Sequence, residues 1–148
     1  MAKKFFVYGT LLEGFINYEK YLKGKIITRE YAKTKGELYH LVDCGYPAMV
    51  DGCDYVYGEL IDFEDYTNTV REIDEMEHYF GENNANNEYN RLEIEVELLE
   101  GKGCETAYAY IYNLKSAEEL RSKDIYIKDG DWKKFCNKHN AKHKNLAG

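Results

Sequence analysis

The chain has 148 residues, 44% of them hydrophobic and 32% charged, with a formal net charge of −7. This length and composition predict one globular domain over residues 1–148 and argue against disorder as a global state. Because the net charge is negative and no basic stripe is visible, we expect no nucleic-acid partner. Because no apolar run approaches the length of a membrane span, we expect no membrane-spanning segment.

Strand and helix signals alternate irregularly in the first third of the chain. An apolar run at residues 5–8 ends in Gly9, which is typical of a buried strand entering a tight loop, where glycine permits a positive φ. Apolar residues at helical spacing predict a short amphipathic helix over residues 15–22. Residues 25–39 contain strand-like pieces, and Gly36 predicts a bulge or bend between them.

Turn signals divide the middle of the chain. Residues 43–47 form the clearest turn and include the only proline, and the Asp-Gly pair at residues 51–52 predicts a second turn. A strand is expected over residues 55–61, with Gly58 marking curvature or a close backbone approach. Residues 65–79 carry apolar side chains three and four apart and predict a helix.

The remaining segments predict a loop, a hairpin and two helices. Residues 81–87 are rich in asparagine and predict a loop long enough to be mobile. Residues 91–99 alternate apolar and glutamate side chains and are expected to pair with residues 106–112 in a hairpin. Short helices are expected after Ser116 and over residues 132–139.

This inventory predicts an α+β fold. About six short strands do not alternate regularly with helices, which disfavours a doubly wound parallel sheet. A curved mixed or antiparallel sheet that closes towards a small β-barrel, with flanking helices, fits better. The lysine- and histidine-rich segment at residues 133–144 is expected to be a solvated chain end.

The cysteines and histidines give no metal pattern. No pair among Cys44, Cys53, Cys104 and Cys136 has CxxC spacing, and the four histidines do not complete a zinc motif. The first residues lead directly into the strand at residues 5–8, so no signal peptide is expected. We therefore expect reduced thiols, no bound metal and a cytoplasmic location.

The loop after the first strand is one candidate site. The backbone N–H groups of Gly9, Thr10 and Leu11 follow the buried residue Tyr8. If these groups point into one concavity, they form a nest that binds a carboxylate or an oxyanion. The alternative from the residues alone is an ordinary glycine between a strand and a loop.

Glu77 is the second candidate. It follows Ile73 by four residues and adjoins Met76, so it lies on or beside the apolar stripe of the predicted helix. A carboxyl group in that position has a raised pKa, as a general acid/base requires. The alternative is a solvated acidic face, because four acidic residues crowd this stretch.

Seven short segments match the motifs of one family in order and span nearly the whole chain. They are residues 6–11 with Gly14 and Asn17 (VYGTL…G…N), 45–48 (YPA), 56–60 (V-x-G-E), 73–77 (LDxxE), 89–91 (Y-x-R), 107–110 (A-aromatic-x-Y) and 130–132 (GDW). Together they resemble the γ-glutamyl cyclotransferase superfamily, also called AIG2-like, and most closely its γ-glutamylamine cyclotransferase branch.

The resemblance implies a fold and a site. The fold is a small mixed β-barrel with flanking helices. The glutamate of the LDxxE motif, which corresponds to Glu77, is implied to be the catalytic acid/base. The opening loop is implied to bind the γ-glutamyl part of the substrate through the backbone N–H groups of Gly9, Thr10 and Leu11.

Other aromatic and charged residues keep two interpretations each. Tyr8 either lines the pocket or packs in the core. Tyr126, which precedes the GDW segment, either lends its hydroxyl to the substrate or is a packed surface aromatic. Arg91 is expected to pair with a carboxylate rather than with substrate. The family often has glycine where this chain has His78, next to the implied catalytic residue.

The implied reaction is the cyclisation of a γ-glutamyl compound. The α-amine of the substrate attacks its own γ-carbonyl, giving 5-oxoproline and a released amine, so no protein nucleophile, metal or cofactor is expected. The expected partner is therefore a small γ-glutamyl substrate; the sequence predicts no oligomeric state. Alternatives are another γ-glutamyl transfer or removal, a non-catalytic module that binds a small carboxylate metabolite, and an interaction domain that uses the acidic helix.

Overall fold

A computed structural model describes residues 2–139 of the chain. In chain order the elements are β1 (Phe5–Val7), a short π-helix (Tyr18–Leu22), β2 (Ile26–Leu41), β3 (Tyr46–Phe63), α1 (Tyr66–Met76), β4 (Tyr89–Leu98), a 3₁₀ turn (Leu99–Gly101), β5 (Cys104–Tyr112), α2 (Ala117–Lys123), β6 (Ile125–Tyr126) and α3 (Trp132–His139). Of the expected solvated end, residues 133–139 belong to α3 and residues 140–144 lie outside the described part.

The strands close into a barrel. Their order is β3-β1-β5-β4-β2, and β2 also pairs with β3, so five strands form a ring to which β6 adds at the outside of β2. The β1–β5 pairing is parallel and the other pairings are antiparallel. The prediction of a mixed β-barrel with flanking helices is therefore confirmed.

The long hairpin of β2 and β3 supplies the curvature. These strands have 16 and 18 residues and replace the shorter pieces expected from the sequence. Their register shifts between Lys35 and Glu37, which confirms the bend at Gly36. The turn predicted at residues 51–52 is wrong, because β3 continues through them. They belong to the residues of β3 that lie between the partners of Lys35 and Glu37 and form a bulge opposite Gly36. Such bulges bend a strand enough for a barrel to close.

One glycine and two alanines allow the barrel walls to approach closely. A Cβ atom added to Gly58 would lie 2.1 Å from the Val7 carbonyl oxygen, so β3 and β1 meet only because Gly58 has no side chain. Ala107 and Ala109 of β5 are fully buried beside Phe5 and Phe6 of β1 in the same core. The expected close approach at Gly58 is thus confirmed.

The helices differ from the sequence prediction mainly in length. The first helix covers Tyr18–Leu22 only, and α1 ends at Met76 instead of residue 79. Ser116 caps α2 as predicted, because its side chain accepts a hydrogen bond from the Glu119 N–H group. No helix within residues 2–139 is both long and apolar enough to cross a membrane.

Candidate active site

A cavity of about 220 Å³ lies where the loop after β1, the start of β3 and the end of α1 meet. Its lining residues are Phe6, Val7, Tyr8, Gly9, Thr10, Leu11, Asn17, Tyr46, Pro47, Met76, Glu77, His78, Glu88, Tyr89 and Tyr110. The structure thus brings the predicted acid/base and the predicted nest to one cavity, although they are separated by more than sixty residues in sequence.

Gly9 has a different role from the one expected. It does not belong to the glycines with positive φ, so the predicted left-handed turn is wrong. A Cβ atom at this position would lie 2.6 Å from Pro47 Cγ. Glycine therefore allows the opening loop to pack directly on Pro47, and this contact forms one wall of the cavity.

The opening loop presents backbone donors at the cavity. Its carbonyl groups are used internally, since the Leu12 N–H donates to the Gly9 oxygen at 2.9 Å and the Tyr18 N–H donates to the Thr10 oxygen at 3.0 Å. Within residues 2–139, no backbone acceptor takes a hydrogen bond from the N–H groups of Gly9, Thr10 or Leu11. These groups remain available for a carboxylate or an oxyanion.

Asn17 fixes the loop relative to α1. Its side-chain amide donates to Thr10 Oγ1 at 2.7 Å and to Met76 Sδ at 3.3 Å. One side chain therefore connects the opening loop to the residue immediately before Glu77. This bridge gives a structural reason for an asparagine in the opening motif.

Glu77 follows the last residue of α1 and lines the cavity with a half-buried side chain. Its N–H group donates to the Ile73 carbonyl at 2.9 Å, which continues the helical hydrogen bonding. Burial, and secondly the charges of Glu88 and Asp74, raise the pKa of the Glu77 carboxyl group to about 8. The negative end of the helix dipole acts in the same direction.

Asp74 is held away from this chemistry by two donors. Arg91 Nη1 lies 2.6 Å from one oxygen of Asp74, and the Tyr110 hydroxyl donates to the other at 2.6 Å. The expected pairing of Arg91 with a carboxylate is confirmed. Asp74 is thus tied to Arg91 and does not line the cavity, whereas Glu77, at the end of α1, does.

Tyr8 both packs and lines the cavity. It is buried, and its hydroxyl donates to the Tyr110 carbonyl oxygen at 2.5 Å. Burial, and secondly the charge of Glu77, raises the pKa of the Tyr8 hydroxyl above its ordinary value. Tyr8 therefore stays neutral beside the acid/base candidate.

The structure does not bring Tyr126 to the cavity. Tyr126 lies in β6, which pairs with the outside of β2, and its ring packs 5.2 Å from that of Tyr39. Its hydroxyl bonds to Asp54, and 37% of the residue remains exposed. Its surroundings are those of the packed surface aromatic that the sequence left as the alternative to a substrate contact.

The sequence reasoning missed one lining carboxylate, Glu88. His78 Nδ1 lies 3.0 Å from one oxygen of Glu88, and the Tyr46 hydroxyl donates to the other. The Glu88 N–H group also donates to the His78 carbonyl at 3.0 Å, which closes the base of the intervening loop. The sequence signal that could have indicated Glu88 is its position directly before the Y-x-R motif at residues 89–91.

The asparagine-rich loop is anchored by Asn87. This residue is only 2% exposed. Its side-chain oxygen accepts from the Phe80 N–H at 2.6 Å, and its amide nitrogen donates to the Gly81 carbonyl at 2.8 Å and to Asn90 at 2.9 Å. The loop expected to be mobile is therefore tied internally beside the cavity.

The described residues offer no arrangement of metal ligands. Within residues 2–139, no three side chains of His, Cys, Asp or Glu converge as a metal site requires. Cys44, Cys53 and Cys104 are exposed free thiols, and Cys136 is a buried one.

Nearly the whole chain is similar to known proteins. A sequence model of the family described as "Gamma-glutamyl cyclotransferase, AIG2-like" matches residues 5–134. The γ-L-glutamyl-butirosin B γ-glutamyl cyclotransferase of Niallia circulans is 34% identical over 134 residues, covering 90% of this chain and 78% of that protein.

Solved structures show the same fold. YkqA from Bacillus subtilis matches with a TM-score of 0.65 at 25% identity, over 97% of this chain and 44% of that chain. The present chain thus spans less than half of YkqA. An AIG2-like protein from Mus musculus matches with a TM-score of 0.61 at 20% identity, over 78% of this chain and 80% of that chain.

Proposed function

Because the chain belongs to the γ-glutamyl cyclotransferase, AIG2-like family, we propose that it cyclises a γ-glutamyl compound to 5-oxoproline and releases the amine. The observation that carries this proposal is one cavity lined both by Glu77 and by Gly9, Thr10 and Leu11, whose N–H groups have no backbone acceptor among residues 2–139. These are the two groups of donors and acceptors that an intramolecular cyclisation needs.

The opening loop binds the anionic part of the substrate. Its three N–H groups hold the α-carboxylate and the oxyanion that develops on the γ-carbonyl oxygen. Binding also folds the substrate so that the α-amine approaches the γ-carbon. Orientation of this kind lowers a barrier by several kcal/mol, up to about 7–11 kcal/mol in well-aligned systems.

Glu77 moves the proton. The ionised carboxylate takes a proton from the α-ammonium, and the amine then forms a bond to the γ-carbon. When the bond between the γ-carbon and the leaving nitrogen breaks, the protonated Glu77 returns this proton to that nitrogen. The attacking nitrogen still carries one proton more than the amide of 5-oxoproline needs. The regenerated carboxylate removes this second proton and passes it to the released amine, which leaves as an ammonium ion. With a pKa of about 8, Glu77 differs less in pKa from the ammonium group that it deprotonates than an ordinary carboxyl group does. This smaller difference favours the proton transfer.

We further propose that the leaving group is an amine rather than an α-amino acid, and that the enzyme works in the cytoplasm. The first point rests on the resemblance to the γ-glutamylamine branch and on the relative whose name places its γ-glutamyl group on butirosin B. The second rests on four free thiols, which suit a reducing compartment.

The test is incubation with a panel of γ-glutamyl compounds, with 5-oxoproline measured by mass spectrometry. The panel contains γ-glutamyl-lysine derivatives, glutathione and γ-glutamyl dipeptides. We expect 5-oxoproline from at least one γ-glutamylamine. A panel that yields none, while one compound still binds, would indicate a non-catalytic binding module.

Glu77→Gln tests the role of the carboxyl group. The amide keeps the shape but transfers no proton, so we expect turnover to fall by roughly 10²–10⁴-fold or more while folding and substrate binding remain. Glu75→Gln is the matched control, because Glu75 is an exposed acidic residue on the same helix. Wild-type turnover by the Glu77 variant would contradict the assignment.

A further inference from the structure

The charge of the cavity lining is the starting observation. Its charged or titratable side chains are the carboxyl groups of Glu77 and Glu88, the imidazole of His78 and tyrosine hydroxyls, and none of its residues, all within the described part of the chain, is Lys or Arg. Apart from the backbone nest, the cavity therefore presents acceptors and negative charge. A substrate gains from such a wall only where it carries donors or positive charge.

Glu88 is built to receive such a donor. The Tyr46 hydroxyl and His78 Nδ1 each contact one of its two oxygens. Because a carboxylate oxygen has more than one lone pair, each oxygen keeps acceptor capacity. The side chain is 27% exposed, so a bound group reaches it without displacing a protein partner.

His78 and Phe80 add an aromatic surface beside Glu88. Their rings stack with an interplanar angle of 13° and centroids 6.3 Å apart, and 59% of Phe80 is exposed. The His78 backbone has φ 54°, a left-handed conformation that glycine adopts more readily than histidine. His78 thus occupies a backbone conformation that favours glycine, and its ring nitrogen contacts the Glu88 carboxylate.

These features locate the leaving group. If the three N–H groups of the nest hold the α-carboxylate and Glu77 meets the reacting nitrogens, Glu88 is left to face the part of the substrate beyond the scissile bond. Resting on the proposed function, we propose that Glu88, positioned by His78 and Tyr46, makes the enzyme select leaving amines that carry a second, positively charged group. Leaving groups with a carboxylate, such as α-amino acids, are disfavoured by the same charge.

The experiment compares two substrates that differ by one ammonium group: γ-glutamyl-(5-aminopentyl)amide and γ-glutamyl-pentylamide. We expect wild-type kcat/KM to favour the charged substrate about tenfold or more, which corresponds to about 1.4 kcal/mol. In Glu88→Gln this ratio should fall towards one. Glu88→Asp keeps the charge and should retain a preference, and Glu82→Gln, which removes an exposed carboxylate of the neighbouring loop, should leave the ratio unchanged.

Each outcome separates the two proposals. If wild-type protein cyclises neither compound nor any other γ-glutamylamine, the proposed function itself fails. If it cyclises both with equal efficiency, or if Glu88→Gln keeps the wild-type ratio, the charge-selecting subsite is wrong. Should Glu88→Gln fail to fold, the wild-type ratio at rising ionic strength decides: a screened charge contact predicts a falling ratio, and a constant ratio overturns the proposal.

Discussion

At the scale of single residues, the position of Glu77 determines its proposed chemistry. It follows α1, whose carboxyl-terminal dipole opposes a negative charge, and it shares the cavity with a second carboxylate, Glu88. Asp74, only three residues earlier, is neutralised by Arg91 and Tyr110. Glu77 and Glu88 therefore both line the cavity, whereas Asp74 is held outside it by its two donors.

The raised pKa of Glu77 makes a prediction about pH. The first step needs the ionised form, and burial raises the pKa of this carboxyl group from 4.5 to about 8. We therefore expect the rate to fall tenfold per pH unit below about pH 8, while an ordinary carboxylate would hold the rate constant down to about pH 5. A kcat profile between pH 5 and pH 10 measures this; a rate that stays constant from pH 8 down to pH 5 would contradict it.

At the scale of elements, the side-chain amides of two asparagines fix two loops. Asn17 connects the opening loop to the end of α1, and Asn87 holds together the loop of residues 81–87. Both asparagines replace contacts that regular secondary structure would supply. The opening loop, which lines the cavity, and the loop of residues 81–87 therefore both depend on specific amide groups for their geometry.

Asn87→Ala tests this dependence. The substitution leaves the partly buried Phe80 N–H and Gly81 carbonyl without these partners, so we expect a loss of roughly 1 kcal/mol in the free energy of unfolding and faster hydrogen exchange in the loop. Asn86→Ala is the control, because Asn86 is exposed. Equal stability of the two variants in urea unfolding would show that Asn87 does not anchor the loop.

At the scale of the whole molecule, barrel closure depends on close packing of β1 against β3. In Gly58→Ala the new Cβ would lie 2.1 Å from the Val7 backbone oxygen, which cannot move without shifting β1. We expect a loss of about 1–3 kcal/mol or more. In Gly52→Ala the nearest atom is Glu37 Cγ at 2.4 Å, in a flexible side chain, so thermal unfolding should show a smaller loss. The reverse order would contradict this account of closure.

Local signals predicted much of this structure. The alternation of apolar and polar residues in 91–99 predicted the β4–β5 hairpin, and Ser116 predicted a helix start. Both signals are local, because strand alternation and helix capping involve residues that are close in sequence. The resemblance gave the barrel and the pairing of Glu77 with the opening loop. What the sequence did not predict depends on contacts across the fold.

Gly9 and Glu88 illustrate that limit. Gly9 was expected to supply a positive φ, but its role is contact with Pro47, which is distant in sequence. Glu88 belongs to no motif, and it reaches the cavity only because it pairs with His78 across the loop of residues 81–87. The sequence also failed to predict that β3 continues through residues 51–52. The Asp-Gly pair is a local turn signal, and only the pairing of β3 with β2 shows that it lies in a bulge.

The central claim is that the substrate amine, with Glu77 as proton carrier, displaces the leaving amine without water. The most direct measurement is turnover of a γ-glutamylamine in ¹⁸O-labelled water, followed by mass spectrometry of the products. The account predicts unlabelled 5-oxoproline as the glutamyl product of wild-type protein and its loss in Glu77→Gln. Glutamate carrying one ¹⁸O atom would show hydrolysis and would contradict the claim.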